Sequence, residues 1–181
     1  LGDVYKRQGE NVLTDISFKA KKGQTIAVIG STGSGKSTLI NLIPRYYDVT
    51  KGSVKVDGVD VRDMTQKELR DKLGYVPQKG VLFSGTIDSN IRYGKPEITD
   101  AQVKEAAEVA QATEFIDTKP EKYESPVSQG GTNVSGGQKQ RLSIARAIAK
   151  NPEIFIFDDS FSALDFKTDS QLRKALKEYT K

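Results

Sequence analysis

The nine residues from Gly30 to Thr38 constrain the fold of this chain more than any other segment. They fit the spacing G-x-x-x-x-G-K-[S/T] and read Gly30, Ser31, Thr32, Gly33, Ser34, Gly35, Lys36, Ser37 and Thr38. The apolar run Thr25–Ile29 comes directly before them and predicts a short strand buried on both faces of a parallel sheet. A helix is predicted from about Lys36, ending before Pro44 or in the tyrosine pair that follows.

A strand, a glycine-rich turn and a helix in this order predict a loop that binds phosphate. Glycines let successive backbone N–H groups converge on an anion, and the helix N-terminus adds positive potential there. Lys36 would reach the β- and γ-phosphates of a nucleotide, and the Ser37 hydroxyl would ligate Mg²⁺. Asp158 follows the apolar run Ile154–Phe157, so its carboxylate is a second candidate for the metal site.

The rest of the chain alternates strand and helix signals, which predicts an α/β fold with a largely parallel sheet. The strand signals are an Asp-Gly hairpin over Ser53–Val61 and the runs Leu73–Val76 and Ile154–Phe157, the last predicted to be fully buried. Capping-box spacings at Thr65/Glu68 and Thr99/Gln102 mark two helix starts. A loop is predicted from Lys119 to Val134, then a helix from Ser135 that stops at Asn151-Pro152, and a last helix containing Leu172, Ala175, Leu176 and Tyr179.

Composition excludes several classes of function. Of the 181 residues, 36% are hydrophobic and 29% charged, which argues against disorder. The sequence has no Cys and no His, so it offers neither thiolate nor imidazole metal ligands. The net charge of +4 comes from scattered lysines, so we expect no nucleic-acid partner. No run approaches the ~20 apolar residues that a membrane-spanning helix needs.

Residues 3–8 read Asp-Val-Tyr-Lys-Arg-Gln and resemble the translated end of a sequencing adapter. The alternative is a genuine leading strand. With the adapter interpretation, residues 1–8 are an artefact, and residues 9–181 form one partial domain that we expect to be truncated at both ends.

Further motifs make a family recognisable. Ser135, Gly136, Gly137 and Gln138 resemble the signature motif of ABC ATPases, and Gln78 after Tyr75-Val76-Pro77 resembles their Q-loop. A D-loop follows at Ser162, Ala163, Leu164 and Asp165. Five motifs stand in family order between Gly30 and Asp165. The stretch Leu82–Gly94 is similar to the exporter branch, of multidrug or lipid type, where it lies near the coupling helices of the membrane domain.

The resemblance implies a P-loop NTPase core with a mostly parallel sheet, an antiparallel β subdomain and an α-helical signature subdomain at about residues 85–150. It implies ATP and Mg²⁺ as cofactors, with Lys36, Gln78 and Asp159 catalytic and Ser37, Gln78 and Asp158 at the metal. Two such domains would face head to tail, so that Ser135 and Gly137 address the γ-phosphate bound on the other chain. We therefore expect an ATPase that drives export, at the cytoplasmic face of a membrane.

The sequence departs from the family pattern at two positions. Asp159 stands where glutamate usually polarises the attacking water, and its shorter arm should slow hydrolysis. Gln129 stands where related exporters more often carry an acidic residue. Both departures resemble the degenerate chain of heterodimeric exporters; the alternative is an active homodimer that uses aspartate as its base.

Tyr5 lies at the spacing of the family's adenine-stacking aromatic, although a surface tyrosine within the adapter-like segment explains it equally well. The family's switch histidine would follow the last helix, beyond Lys181. We therefore expect little ATPase activity from the isolated chain.

Two alternative functions stay open at the level of sequence. One is a regulatory module that binds ATP between two chains with little hydrolysis at its own site. The other is an ABC ATPase without a transport role, as in DNA repair or translation, against which the exporter-like Leu82–Gly94 stretch argues.

Overall fold

The computed structural model describes residues 12–180, which divide into two compact units at Met64/Thr65. The predictions for residues 3–8 and for Tyr5 lie outside the described residues.

The first unit contains helix α1 (Lys36–Asn41) and a hairpin of strands β1 (Lys55–Val56) and β2 (Val59–Asp60). The two turn residues, Asp57 and Gly58, have φ of 52° and 82°. Positive φ at both central residues is what a tight type I′ hairpin turn requires, and Asp-Gly supplies it. The hairpin predicted from the alternating pattern is therefore confirmed, and α1 begins at Lys36 and ends before Pro44 as expected.

The strand predicted over Thr25–Ile29 is not formed. These residues carry no regular secondary structure, and the side chains of Ile26 and Ile29 are 45% and 93% exposed. An apolar run becomes a strand only where another strand accepts its hydrogen bonds, and the only paired strands among residues 12–64 are the two of the hairpin. The prediction of a buried strand here was wrong because the apolar run gives no information on the pairing partner.

The second unit holds the remaining elements. Its helices are α2 (Gln66–Asp71), α3 (Ile87–Ile91), α4 (Asp100–Val109), α5 (Thr113–Asp117), α6 (Gly136–Ala149) and α7 (Phe166–Tyr179). Its strands are β3 (Leu73–Val76), β4 (Gly85–Thr86), β5 (Pro126–Val127) and β6 (Ile154–Phe157). Strands β3 and β6 pair in parallel from Leu73↔Ile154 to Val76↔Phe157, and β4 pairs antiparallel with β5.

Three of the helices begin where the sequence predicts them. The side chains of Thr65, Thr99 and Ser135 each accept a hydrogen bond from the backbone N–H three residues on, and the side chain of that third residue accepts from the N–H of the capping residue. Both predicted capping boxes, at Thr65 and Thr99, are therefore confirmed, and Ser135, predicted only as a helix start, forms a third. Helix α6 then buries eight of its fourteen residues in the core of the unit, against α3, α4 and β3.

Two expectations for the second unit need correction. Only Ile156 in β6 is buried, while its neighbours are half-buried, because this strand pairs on one side only with β3 among the described residues. The predicted loop from Lys119 to Val134 contains strand β5 and two short 3₁₀ turns. A strand of two residues, such as β5, is too short to show the alternating pattern of apolar residues from which a strand is predicted. Among the described residues, no helix is both long enough and apolar enough to span a bilayer.

Candidate functional site

The glycine-rich loop of the first unit folds back onto the side chain of Lys36. The Lys36 ammonium donates to the backbone oxygens of Gly30 and Ser31, at 2.7 Å each. The N–H of Ser34 donates to the oxygen of Ser31 and closes the turn at 3.2 Å. The loop carbonyls thus hold a positive charge beside the start of α1.

The geometry of the glycines shows why other residues do not fit here. Gly33 and Gly35 have φ of 82° and 91°, in the region that L-residues avoid. A Cβ on Gly35 would also approach the Leu13 side chain to 2.7 Å. Gly35 is the N-cap of α1 and supplies no side-chain cap. A helix start without a side-chain cap, next to an ammonium and a glycine turn, fits a phosphate group. The residues present therefore match the nucleotide and Mg²⁺ that the sequence implies, with Ser37 exposed in the first turn for a metal.

In the second unit the carboxyl ends of β3 and β6 bring three predicted residues together. Asp158 and Asp159 follow β6, and Gln78 follows β3 after Pro77. The side-chain amide of Gln78 donates to the Asp159 carboxylate at 3.1 Å. The Tyr75 hydroxyl lies 3.5 Å from the Asp158 carboxylate. Parallel strands end at the same edge of the sheet, which is why residues 81 apart in sequence meet here.

The backbone around Asp159 is constrained. Asp159 has a φ of 47°, a left-handed conformation that Asp tolerates better than most residues. The next residue, Ser160, is fully buried, and its hydroxyl donates to the Val76 oxygen at 2.7 Å. The Asp158 N–H also donates to Val76. These bonds extend the β3–β6 pairing beyond the strands and fix the backbone position of Asp159.

The signature and D-loop residues also lie side by side. Ser135 caps α6, and Gly136 and Gly137 are the first two helical residues. A Cβ on Gly137 would lie 3.3 Å from the backbone oxygen of Ala163, whereas one on Gly136 would meet nothing within 4 Å. Only the second glycine is therefore required for this close approach.

The D-loop ends in a helix cap. The Asp165 carboxylate accepts from the backbone N–H of Thr168 at 3.0 Å and from its hydroxyl at 2.7 Å. These bonds, the hydroxyl first, lower the pKa of Asp165 below its ordinary value. The Ser162 hydroxyl donates to the backbone oxygen of Asp159 at 3.0 Å, so the D-loop is tied to the carboxylate pair.

The structure thus forms two groupings within the second unit: Gln78 with Asp158 and Asp159, and the signature with the D-loop. The glycine-rich loop Gly30–Thr38 lies within the first unit. Gln129 lies in a 3₁₀ turn (Gln129–Gly131).

Sequence reasoning identified no contacts for four further residues of the second unit. Ser160 and Asn90 are buried polar residues, and Arg146 donates three hydrogen bonds to backbone and side-chain oxygens. Gly80 lies against α6, where a Cβ would be 2.8 Å from the Lys139 oxygen. The apolar periodicity of α6 could have placed Arg146 near its buried face, but nothing in the sequence identifies its partners.

Comparison with known proteins decides the family. Residues 13–162 match the family model described as ABC transporter. The chain belongs to the ABC transporter family. It is 47% identical over 177 residues to the putative multidrug export ATP-binding/permease protein YgaD of Bacillus subtilis, covering 98% of this chain and 30% of that protein. A putative multidrug export ATP-binding/permease protein of Staphylococcus aureus is 47% identical over 172 residues, covering 95% of this chain and 30% of its own length.

A solved structure agrees with the assignment. The structure of a bacterial Atm1-family ABC exporter with ATP bound superimposes with a TM-score of 0.92 at 40% identity, covering 98% of this chain and 31% of that one. This ABC transporter chain therefore spans about a third of the length of the relatives and the structure that it matches. The ABC fold and the resemblance to the exporter branch, both expected from the motifs, are confirmed.

Proposed function

We propose that this chain is the nucleotide-binding domain of an ABC exporter, and that it binds and hydrolyses ATP to drive export across a membrane. The observation that carries the proposal is the Lys36 ammonium held over a glycine loop at an uncapped helix start. The Gln78–Asp159 pair supports hydrolysis. Its relatives are named as multidrug export ATP-binding/permease proteins, and the matched exporter has ATP bound.

In this proposal, the loop residues Gly30–Thr38 bind the phosphates, and Lys36 releases its carbonyl contacts to pair with them. Ser37, Gln78 and Asp158 are the residues that would hold Mg²⁺, and the ion would supply charge neutralisation at the phosphates. Asp159 orients the attacking water and accepts its proton. Gln78, already bonded to Asp159, keeps this carboxylate facing the strand ends.

The signature would contact the nucleotide bound by a second domain of the same type. Ser135, Gly136, Gly137 and Gln138 stand at the start of a fourteen-residue helix, where backbone donors and the helix dipole favour a γ-phosphate on the other chain. The D-loop, Ser162 to Asp165, lies against this helix start and belongs to the same interface. We place the α-helical signature subdomain at about residues 85–150, within a domain of residues 9–181.

The membrane domain would dock on an exposed apolar surface of the second unit. Val81, Phe83 and Tyr93 are 50%, 39% and 56% exposed and lie in the exporter-like stretch. Such a surface suits the coupling helices of a transmembrane partner, and the domain would lie at the cytoplasmic face of the membrane.

A mutation in the phosphate-binding loop tests this function. The full-length parent transporter is placed in membrane vesicles with Lys36→Ala, and with Lys51→Ala as a control at an exposed position outside the loop. Labelling by a photoreactive ATP analogue and ATP-driven dye efflux are measured together. We expect Lys36→Ala to reduce both at least ~10-fold, as loss of a charge-assisted phosphate contact should. Unchanged labelling and efflux with Lys36→Ala would refute the proposal.

A second candidate, a regulatory module with slow hydrolysis at its own site, is favoured by the short Asp159 side chain. We infer that this chain pairs with a different ABC chain, whose competent site the intact Ser135 signature completes. Vanadate trapping of nucleotide in the assembled pair, with each phosphate-loop lysine mutated in turn, separates the two functions. Trapping confined to the partner's loop supports the regulatory role, and equal trapping at both loops supports an active site here.

A further inference from the structure

One arginine of helix α6 joins two parts of the second unit. Arg146 Nε donates to the Asn90 backbone oxygen at 2.7 Å, and Nη2 donates to the Asn90 side-chain oxygen at 2.9 Å. Nη1 donates to the Val81 oxygen at 2.8 Å. All three bonds reach the segment Val81–Tyr93, so a single planar guanidinium connects α6 to this segment at both of its ends.

Two aromatic rings lie over the same guanidinium. Phe83 and Tyr93 stack on each other with centroids 4.1 Å apart and planes 15° apart. The central carbon of the Arg146 guanidinium is 5.2 Å from the Phe83 centroid and 5.4 Å from the Tyr93 centroid. Both distances are within the ~6 Å range of cation–π attraction. The exposed ring pair therefore rests on a cation that belongs to another element.

Asn90 makes this connection rigid. Its side-chain oxygen also accepts from the Phe83 N–H at 2.9 Å, and its amide donates to the oxygens of Phe83 and Thr86 at 2.8 and 2.9 Å. The Asn90 side chain is only 1% exposed. Because its hydrogen-bonding capacity is filled, Asn90 fixes the backbone that carries Phe83 and holds it on Arg146.

The charge on Arg146 has no ionic partner among residues 12–180: none of their ion pairs includes it. Burial lowers the pKa of Arg146 to about 10, so the side chain is still charged at neutral pH. A partly buried cation without a carboxylate costs free energy, which hydrogen bonds and ring faces offset only in part. A neutral residue of similar length would fill the same space without that cost, so the charge calls for a reason beyond packing.

Helix α6 links Arg146 to the signature. The helix begins after Ser135 and continues without a break to Ala149, so Ser135 and Arg146 are eleven residues apart on one rigid element. At about 1.5 Å per residue this separation is roughly 16 Å. If the signature end of α6 moves, Arg146 moves with it. The Phe83–Tyr93 ring pair then moves too, because the Arg146 guanidinium is bonded to its segment at Val81 and at Asn90.

We propose that Arg146 is a positioning residue that makes helix α6 and the Phe83–Tyr93 ring pair move as one body. This role rests on the proposed function, in which the signature responds to ATP and the ring pair faces the membrane domain. Arg146 touches neither nucleotide nor transported substrate; it sets how much of the movement at the signature reaches the surface.

The test measures coupling separately from catalysis. Arg146→Met and Arg146→Lys are introduced into the full-length transporter in membrane vesicles, and dye efflux, ATP turnover and the KM for ATP are all measured. Lys150→Met is the matched control, because Lys150 caps the end of the same helix and its ammonium donates to the backbone oxygens of Arg70 and Leu73, outside the Val81–Tyr93 segment. The midpoint of thermal unfolding is recorded for each variant.

We expect Arg146→Met to keep its KM for ATP and its basal turnover within about twofold, while efflux per ATP hydrolysed falls about tenfold. Efflux per ATP hydrolysed in Arg146→Lys should lie between the values for Arg146→Met and for the unchanged protein, because an ammonium restores the charge but cannot make the three hydrogen bonds of the planar guanidinium. Lys150→Met should keep normal coupling even if its unfolding midpoint drops.

Normal coupling in Arg146→Met would overturn the proposal, and so would an equal loss of coupling in Lys150→Met. If Arg146→Met does not assemble, Arg146→Lys decides by the same criterion. If neither assembles, the residue serves folding alone and the proposal fails. If the unchanged protein shows no ATP-driven efflux, the proposed export function fails, and the role of Arg146 is tested by a second measurement. The rate at which a cysteine introduced by Val81→Cys is alkylated is compared with and without ATP. Loss of the ATP-induced change in Arg146→Lys supports the proposal, and an unaltered change refutes it.

Discussion

The Gln78 side-chain amide donates a 3.1 Å hydrogen bond to the carboxylate of Asp159, which follows the neighbouring parallel strand. In the proposed function, this bond joins a residue expected at the metal with the residue expected to act as the base. An aspartate side chain is one methylene shorter than a glutamate side chain, and here it is held towards Gln78. The bond therefore brings together two groups that the proposed function assigns to hydrolysis, with the Asp159 carboxylate held at the Gln78 amide.

Lengthening this carboxylate should speed hydrolysis. We expect Asp159→Glu to raise ATP turnover at this domain's own loop about tenfold in the assembled transporter, since a general base contributes 10²–10⁴-fold when it is within reach of its water. Asp159→Asn is the matched variant: its amide oxygen can still accept from Gln78, so ATP affinity should stay unchanged while turnover falls. Single-turnover hydrolysis in the assembled transporter measures both, and no gain with Asp159→Glu would count against the shortened-base interpretation.

Ser135 caps helix α6 and is also proposed to contact a γ-phosphate on the partner chain, and a substitution that adds a negative charge separates these two roles. Ser135→Ala removes the helix cap and should lower the free energy of unfolding by about 1 kcal/mol. Ser135→Asp keeps an acceptor for the Gln138 N–H, so stability should be preserved, but its negative charge should repel a γ-phosphate and abolish turnover at the partner's site. Urea unfolding and ATPase activity of the same preparations provide the comparison. Equal activity in Ser135→Asp and the unchanged protein would show that the signature does not contact phosphate.

The turn after Gln78 depends on a close approach at Gly80. A Cβ there would lie 2.8 Å from the Lys139 oxygen and 2.9 Å from the Ser143 hydroxyl of α6. We expect Gly80→Ala to lower the free energy of unfolding by about 1–3 kcal/mol, because backbone atoms must move to admit the methyl group. Gly136→Ala, where a Cβ meets nothing within 4 Å, is the control and should change stability by about 0.5 kcal/mol or less. Similar losses in both would contradict the predicted clash.

Local signals in the sequence predict much of this structure. The capping boxes at Thr65, Thr99 and Ser135 and the Asp-Gly hairpin turn depend on residues within a few positions of each other, so the sequence contains all that their geometry needs. The motif order also predicts the family correctly. Contacts within these motifs are fixed by chain connectivity, and the rest of the fold has little influence on them.

Long-range contacts could not be predicted in the same way. The apolar run Thr25–Ile29 looks like a buried strand but forms no strand pairing, because pairing depends on a partner that the run itself does not specify. Arg146 looks like any basic residue of a helix, and only the fold reveals Asn90 and the ring pair beneath which it lies. The left-handed φ of Asp159 likewise depends on Ser160 being anchored to β3.

The hairpin of the first unit should respond to acid through Asp60. The Asp60 carboxylate accepts from the Arg62 guanidinium at 2.7 Å and from the Arg62 backbone N–H at 2.9 Å. These two interactions, the side-chain bond first, lower the pKa of Asp60 from 3.8 to about 2. Because the folded pKa lies below the unfolded one, the unfolded chain binds the proton at higher pH. The stabilisation is complete above pH 3.8 and is lost as the pH falls through about 2.

Replacing Asp60 should flatten this dependence without removing the turn. Asp60→Asn keeps an acceptor for the Arg62 N–H but does not titrate, and Arg62→Met removes the main cause of the low pKa. We expect both variants to lose less stability than the unchanged chain between pH 4 and pH 2, roughly the interval between the unfolded and folded pKa values of Asp60. Urea unfolding midpoints across this interval measure the difference. Parallel curves for all three proteins would show that the Asp60–Arg62 pair is not formed in solution, since a paired carboxylate must contribute a pH-dependent term that the amide lacks.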